Sequence, residues 1–269
     1  MSPTVRPKVY LNGATIMSTS TADLIAIARR TGYDGIEVRA ERLLDAPEEV
    51  RECGALVRPG EVWSLNGLQL KTSLEGRLDR ELLFSELGPR LEICHALGAT
   101  YLLVVPPRMN GIDVAPAIEA MKEGLAVVRD RASEIGVRVA FEFLGFGDCP
   151  ISTPELAAAV VEGLAGVELV LDSCHWHASG GGSLANFPME RLAMVHLNDA
   201  PAKAPELIED ADRILPGEGV IALAGLCADL RTGGYRGPFS LETFNPAYWQ
   251  DDPEQIARQG RAAVARILG

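Results

Sequence analysis

Val139-Ala-Phe-Glu-Phe143 is a short apolar run with one charge inside it, and the pattern returns as Leu169-Val-Leu-Asp172, Met194-Val-His-Leu197 and Phe239-Ser-Leu-Glu242. Each has the length and content of a buried strand. Side chains alternate across a strand, so the flanking hydrophobes (Phe141 and Phe143, Leu171, Val195 and Leu197, Leu241) face one way, and Glu142, Asp172, His196 and Glu242 the other. The four are separated by 30, 24 and 46 residues, close to one strand-plus-helix unit each with the last enlarged. Three carboxylates and a histidine are therefore expected to converge on one point. Such a cluster does not stay charged in a protein core without a counter-charge, and a divalent cation is the economical one. A metal site is expected here.

Outward from these runs, strand-like and helix-like segments alternate along the chain in eight units, with no linker, low-complexity tract or charge block. The first strand is expected over Lys8 to Ile16. Thr19-Ser-Thr-Ala-Asp23 follows, where a hydroxyl can cap a helix running to Arg30 and stopped by Gly32. Gly35 to Arg39 reads as the second strand, with a helix after it through about Val57. The third strand lies within Glu61 to Leu70, and an amphipathic helix carrying Leu82, Leu83, Leu87, Leu91 and Ile93 ends at Gly98. Tyr101 to Val105 and Arg138 to Phe143 are strands four and five, separated by a helix from Val114 to Ile135. Pro154, after Thr153, suits a first helical position. The last strands are Val167 to Asp172, Met194 to Asn198 and Phe239 to Thr243, with helices over Ala222 to Thr232 and Pro253 to Leu268. Eight such units of about 30 residues point to an α/β protein, a closed (β/α)8 TIM barrel rather than an open doubly wound sheet. Functional groups in such barrels stand at the carboxyl ends of the strands, where the four polar residues lie.

The 269 residues, 47% of them hydrophobic, are enough for one barrel, and residues 1–269 are expected to form a single domain. There is no apolar run of about 18 residues, and Met1 to Pro7 lacks the basic-then-apolar layout of a secretory leader, so a cytoplasmic protein outside the membrane is expected. Cysteines at 53, 94, 149, 174 and 227 are odd in number and scattered, which suits reduced thiols rather than a disulfide framework or zinc knuckle. A formal charge of −12 disfavours a nucleic-acid partner and suits a small neutral substrate.

A lone inward acid in a barrel is as often paired with a neighbouring Arg or Lys as it is a ligand. On strands five to eight the residues sharing the inward face are Ala140 and Leu144, Val170, Met194 and Asn198, and Ser240 and Phe244. None is basic, so a cation has to come from elsewhere. Oxygen and imidazole donors without thiolate favour Mn, Mg, Co or Zn. In Asp172-Ser-Cys-His-Trp-His177, read as a loop, His175 is the candidate for holding a substrate hydroxyl, and His177 is either a site group or a solvated imidazole. His95 reads as an ordinary helix residue. Glu37 and Lys71 are candidates for further substrate-binding contacts, with structural roles equally open. Arg39 shares the inward face with Glu37 and is open to an ion pair with another element. Trp63, Trp176, Tyr248 and Trp249 would either wall a sugar pocket or pack.

Gly32-Tyr-Asp-Gly-Ile-Glu-Val38, Phe141-Glu-Phe143, Leu171-Asp-Ser-Cys-His-Trp-His177, Val195-His-Leu-Asn-Asp-Ala-Pro201, Asp212-Arg-Ile-Leu-Pro-Gly-Glu-Gly-Val-Ile221 and Ser240-Leu-Glu-Thr-Phe-Asn-Pro246 follow one another in that order. Together they resemble the sugar phosphate isomerase/epimerase superfamily, the xylose isomerase-like TIM barrels that include endonuclease IV, inosose dehydratase and ketose 3-epimerases. The last third is most similar to the 2-keto-myo-inositol isomerases (inosose isomerases), with their Asp-Arg-x-x-Pro-Gly-x-Gly stretch and an ending matched by Leu241-Glu-Thr-Phe-Asn-Pro-Ala-Tyr248. Asn245 stands where that ending has a basic residue, and Ala222 replaces an acid, departures that bear on the substrate more than on the chemistry.

The resemblance implies that Glu142, Asp172, His196 and Glu242 hold one divalent metal ion and that His175 contacts the substrate. The reaction it implies is isomerisation or epimerisation of a sugar or cyclic polyol ketone through an enediolate, with Glu142 and Glu242 moving the proton. A dehydratase of inosose or 3-dehydroshikimate type is the neighbouring alternative, because the same enolate can expel a β-hydroxyl. An endonuclease IV-like phosphodiesterase would need a three-metal site and more than the four histidines present, and Ile214 stands where it would have a ligand histidine. A non-catalytic polyol-binding barrel is the remaining class. Lys203 and Gly217 to Gly219 form no glycine-rich cradle ahead of a helix, so an unphosphorylated substrate is expected. A homodimer is the ordinary assembly for such enzymes.

Overall fold

Each strand hydrogen-bonds in parallel to the next in sequence, and the eighth returns to the first, closing a barrel. The computed structural model describes residues 6–269, so part of the segment inspected for a leader, residues 1–5, lies outside the described residues. The strands are β1 Val9–Asn12, β2 Gly35–Arg39, β3 Val62–Gln69, β4 Tyr101–Val105, β5 Arg138–Glu142, β6 Val167–Asp172, β7 Leu192–Leu197 and β8 Phe239–Leu241. Among the described residues nine α-helices surround them: α1 Thr21–Thr31, α2 Ala40–Leu43, α3 Pro47–Leu56, α4 Arg80–Leu97, α5 Val114–Ser133, α6 Pro154–Val161, α7 Ser173–Ala178, α8 Leu223–Thr232 and α9 Pro253–Leu268. The closed barrel expected from the sequence is the fold observed.

Local chemistry sets the helix ends. Ser20 caps α1 by accepting from the Asp23 N–H, and Gly32 ends it at φ 81°, a left-handed conformation that a side chain would resist. Thr153 caps α6 with Pro154 in its first turn, as expected. Three expectations change. β1 stops at Asn12, whose Oδ1 accepts from the Ala14 N–H and starts a 3-10 turn over Gly13–Ile16 in place of further strand. The single helix expected after β2 is two, because Pro47 forces Ala46 out of the helical region between them. The supposed loop after β6 is the short helix α7, capped by Asp172 itself through the His175 N–H.

Alternation then sorts the side chains. Leu11, Ile36, Leu65, Leu102, Phe141, Leu171, Val195 and Leu241 face outward into one large core beneath the helices. Inside the barrel a separate apolar layer holds Tyr10, Trp63, Tyr101, Leu103, Ala140, Val170 and Met194. Glu142, Asp172 and His196 on β5–β7, and Glu242 just past β8, lie two positions further along the chain than Ala140, Val170, Met194 and Ser240, which places them on the same inward face nearer the carboxyl-terminal mouth. All five cysteines are buried free thiols. Among the described residues no helix is long and apolar enough to cross a membrane.

Candidate active site

Strand register brings the expected residues together. Asp172 is level with His196 and His196 with Ser240. Glu142, Asp172, His196 and Glu242 are all buried, and one donor atom from each lies within 4.8 Å of the others. His196 Nδ1 is 3.1 Å from Glu142 Oε1 and 3.1 Å from Glu242 Oε2. Neutral donors complete the shell. Asn198 Nδ2 donates to Asp172 Oδ2 at 2.6 Å and to the Glu242 carbonyl at 2.9 Å, and Asn12 Nδ2 donates to Glu242 Oε1 at 2.8 Å.

The missing cation is Arg213, in the long connection after β7. Its side chain is 1% exposed, and Nη1 donates to Asp172 Oδ2 at 3.1 Å and Glu242 Oε2 at 2.9 Å. Nη2 lies 2.8 Å from Asp210 Oδ1 and donates to His175 Nε2 at 2.9 Å. An antiparallel bridge delivers it, with Asp199 and Ile214 exchanging two 2.9 Å backbone hydrogen bonds. Asn245, the departure from the inosose isomerase ending, donates from Nδ2 to the Arg213 carbonyl at 2.9 Å and so fixes the residue from β8's side. Because His175 accepts at Nε2, its neutral ring carries the proton on Nδ1, which has no hydrogen-bond partner among the described residues. Burial and then Arg213 hold the His175 ring well below its usual pKa, hence neutral.

Electrostatics bears on whether a cation fits. Burial pushes the Glu142 carboxyl up to about 7 against the pull of His196, and burial raises Asp172 despite Arg213. Burial opposes charge on Glu242 and His196 too. His196, Arg213 and Arg39 nevertheless hold Glu242 below the usual carboxylate range, and Glu242, Glu37 and Glu142 hold the imidazole well above its own. Four buried carboxyls thus compete for one buried guanidinium and one imidazole, and two of them lose. Oxygen and imidazole donors in that spacing, short of positive charge, fit a divalent ion.

The remaining expectations divide. Glu37 is fully buried and its carboxylate is taken up by protein partners, Ser64 Oγ donating at 2.6 Å and His196 Nε2 lying 3.2 Å away, which is not the arrangement of a substrate contact. Lys71 follows β3 and is exposed, donating to Gln69 Oε1. Arg39 pairs with Glu41 at 2.8 Å and reaches within 3.8 Å of Glu242, the ion pair to another element left open by the sequence. Trp63 stacks on Tyr101 in the apolar layer, away from the mouth. Trp176 and Trp249 donate to the Gly182 and Ala14 carbonyls, and the Tyr248 hydroxyl accepts from the Leu215 N–H. Trp63 and Trp176 are core residues, and Tyr248 packs against the core. His177 is partly buried and outside the cluster, and His95 is an exposed helix residue.

Residues 25–267 match the family model for the xylose isomerase-like TIM barrel. The chain belongs to this family. The inosose isomerase of Bacillus subtilis (strain 168) is 27% identical over 272 residues, covering 97% of this chain and 98% of the relative. A 3-dehydroshikimate dehydratase of Pseudomonas aeruginosa is 31% identical over 252 residues, 87% of this chain but 37% of that longer protein. Among solved structures, that of the IolI protein with a binding zinc atom superposes with a TM-score of 0.88 at 26% identity, covering 97% of this chain and 98% of that one. The family and fold that the sequence motifs pointed to are both borne out.

Proposed function

We propose that the protein is a divalent-metal-dependent isomerase that moves the carbonyl of an unphosphorylated cyclic polyol ketone, of the 2-keto-myo-inositol (inosose) kind, through an enediolate. The observation that carries this reading is the convergence of Glu142, Asp172, His196 and Glu242 around one point beside the buried Arg213. Full-length similarity to inosose isomerases, and zinc in the IolI structure, support it.

Bound by those four residues, a divalent ion would supply a Lewis acid for the ketone and its neighbouring hydroxyl. Glu142 and Glu242 end β5 and follow β8, three strands apart in the closed sheet, so their carboxylates come to the substrate from different sides. One takes the proton from the carbon beside the carbonyl, and the C–H electron pair forms the enediolate double bond while the former carbonyl oxygen takes the negative charge. Delivery of that proton to the former carbonyl carbon, with transfer of the neighbouring hydroxyl's proton to the former carbonyl oxygen, leaves the carbonyl moved by one position and the former carbonyl as a hydroxyl. Arg213 contributes a fixed positive charge against the developing oxyanion, and it costs no reorganisation because Asp172 and Glu242 already hold it. The His175 Nδ1–H orients a ring hydroxyl, and Lys71 holds an outer one.

The 31% identity to a 3-dehydroshikimate dehydratase favours a second reading, in which the same proton abstraction is followed by departure of a β-hydroxyl as water. NMR of products separates them, using 2-keto-myo-inositol and 3-dehydroshikimate with zinc- or manganese-loaded protein and a chelated control. A metal-dependent isomeric ketone supports the isomerase. Loss of water from either compound moves the assignment to the dehydratase, and loaded protein that turns over neither, nor any of a panel of ketoses, removes the proposal.

A further inference from the structure

Glu37, a candidate substrate contact by sequence, lies instead against His196. It lies on β2, level with Asn12 of β1 and Ser64 of β3, and its side chain crosses the barrel to His196 on β7. Both side chains are 0% exposed, and His196 Nε2 lies 3.2 Å from Glu37 Oε1 and 3.3 Å from Oε2. The other ring nitrogen, Nδ1, faces Glu142 and Glu242. The two nitrogens of one imidazole are thus turned to different jobs, one toward the four-residue cluster and one toward a single carboxylate behind it.

That carboxylate is itself immobilised. Ser64 Oγ donates to Oε2 at 2.6 Å, Asn66 Nδ2 to Oε2 at 3.3 Å, and Asn12 Nδ2 to Oε1 at 3.3 Å. With His196 added, both oxygens are occupied and none remains for a ligand. Asn12 also donates to Glu242, so the support of His196 and the support of a cluster carboxylate share one side chain.

We propose that Glu37 is a positioning residue for the metal centre. It accepts the Nε2–H of His196, fixing the ring orientation and the tautomer whose Nδ1 lone pair is free for the ion, and its negative charge makes that nitrogen a better donor. The inference rests on the metal-site reading above. A buried carboxylate costs folding free energy that a neutral acceptor would not, and the gain in ligand basicity is what a carboxylate adds at this position.

The test uses zinc and the whole protein. In the zinc-loaded, 15N-histidine-labelled wild type, long-range proton–nitrogen spectra should show His196 with Nε2 protonated and Nδ1 metal-bound; the reverse assignment overturns the inference. In competition with a chromophoric chelator, Glu37→Gln should bind zinc roughly ten- to a hundred-fold more weakly, and Ser64→Ala, which frees Glu37 without touching His196, should lose less in the same direction. A structural role alone would lower the melting temperature equally with and without zinc, whereas positioning shrinks the zinc-induced rise. Unchanged zinc affinity in folded Glu37→Gln overturns the inference while leaving the metal site standing. Wild-type protein that does not hold zinc overturns the metal-site reading, and this inference with it.

Discussion

Two layers of side chains fill the inside of the barrel, and they differ in chemistry. The lower layer holds Tyr10, Trp63, Tyr101, Leu103, Ala140, Val170 and Met194, with Trp63 stacked on Tyr101 at 4.4 Å between ring centroids. Two residues along the same strands, the upper layer holds Asn12, Glu142, Asp172 and His196, with Glu242 just past the end of β8. Alternation dictates that both sets point inward, but nothing in the closed sheet requires charge in either. Apolar side chains in the lower layer contribute to stability by leaving water, whereas each charge in the upper layer costs several kcal/mol of desolvation that its partners only partly return. Stability is therefore built below and reactivity above.

The strongest way to break that division is at Glu242. Glu242→Gln should reduce turnover by roughly 1,000-fold or more, the scale of losing a proton-transfer group together with a metal donor, while circular dichroism shows an intact fold. A variant that keeps its turnover would remove the upper layer from the chemistry. Met194→Ala, two residues before His196, should do the opposite. It leaves a cavity costing about 2–5 kcal/mol in denaturant titration, with turnover of the folded fraction changed only a few-fold. Smallest of all is Lys71→Ala at the rim, expected to raise KM on the order of two- to five-fold with stability unchanged, as for one exposed hydrogen bond to substrate. An unaltered KM would remove Lys71 from the binding surface.

Most of the barrel was legible from local chemistry, because runs such as Val167 to Asp172 and caps such as Ser20 and Thr153 carry their own signals. The upper-layer quartet at the ends of β5–β8 was legible for the same reason: one polar residue in an apolar run has its direction fixed by its neighbours. Arg213 was not. It belongs to an irregular connection without alternation, and its inward course depends on Asp199, whose carboxylate accepts from the N–H groups of Ala200, Gly217 and Ile221 and organises the segment. Only the excess of inward carboxylates signalled that a cation must arrive from outside the strands. The partner of Glu37 was also hidden, since contact between β2 and β7 exists only once the sheet closes. The helix after β6 did leave a sign, the three-residue step from Asp172 to the His175 N–H that marks a capped start.

The central claim is that the upper layer enolises a ketone with the help of a divalent ion. Its most direct measurement is NMR-detected uptake of solvent deuterium into 2-keto-myo-inositol, in protein stripped by chelator and then reloaded. The account predicts deuterium at the carbon beside the carbonyl in the reloaded sample and none in the stripped one. Exchange that is equal in both, or absent from loaded protein with bound metal, would contradict it.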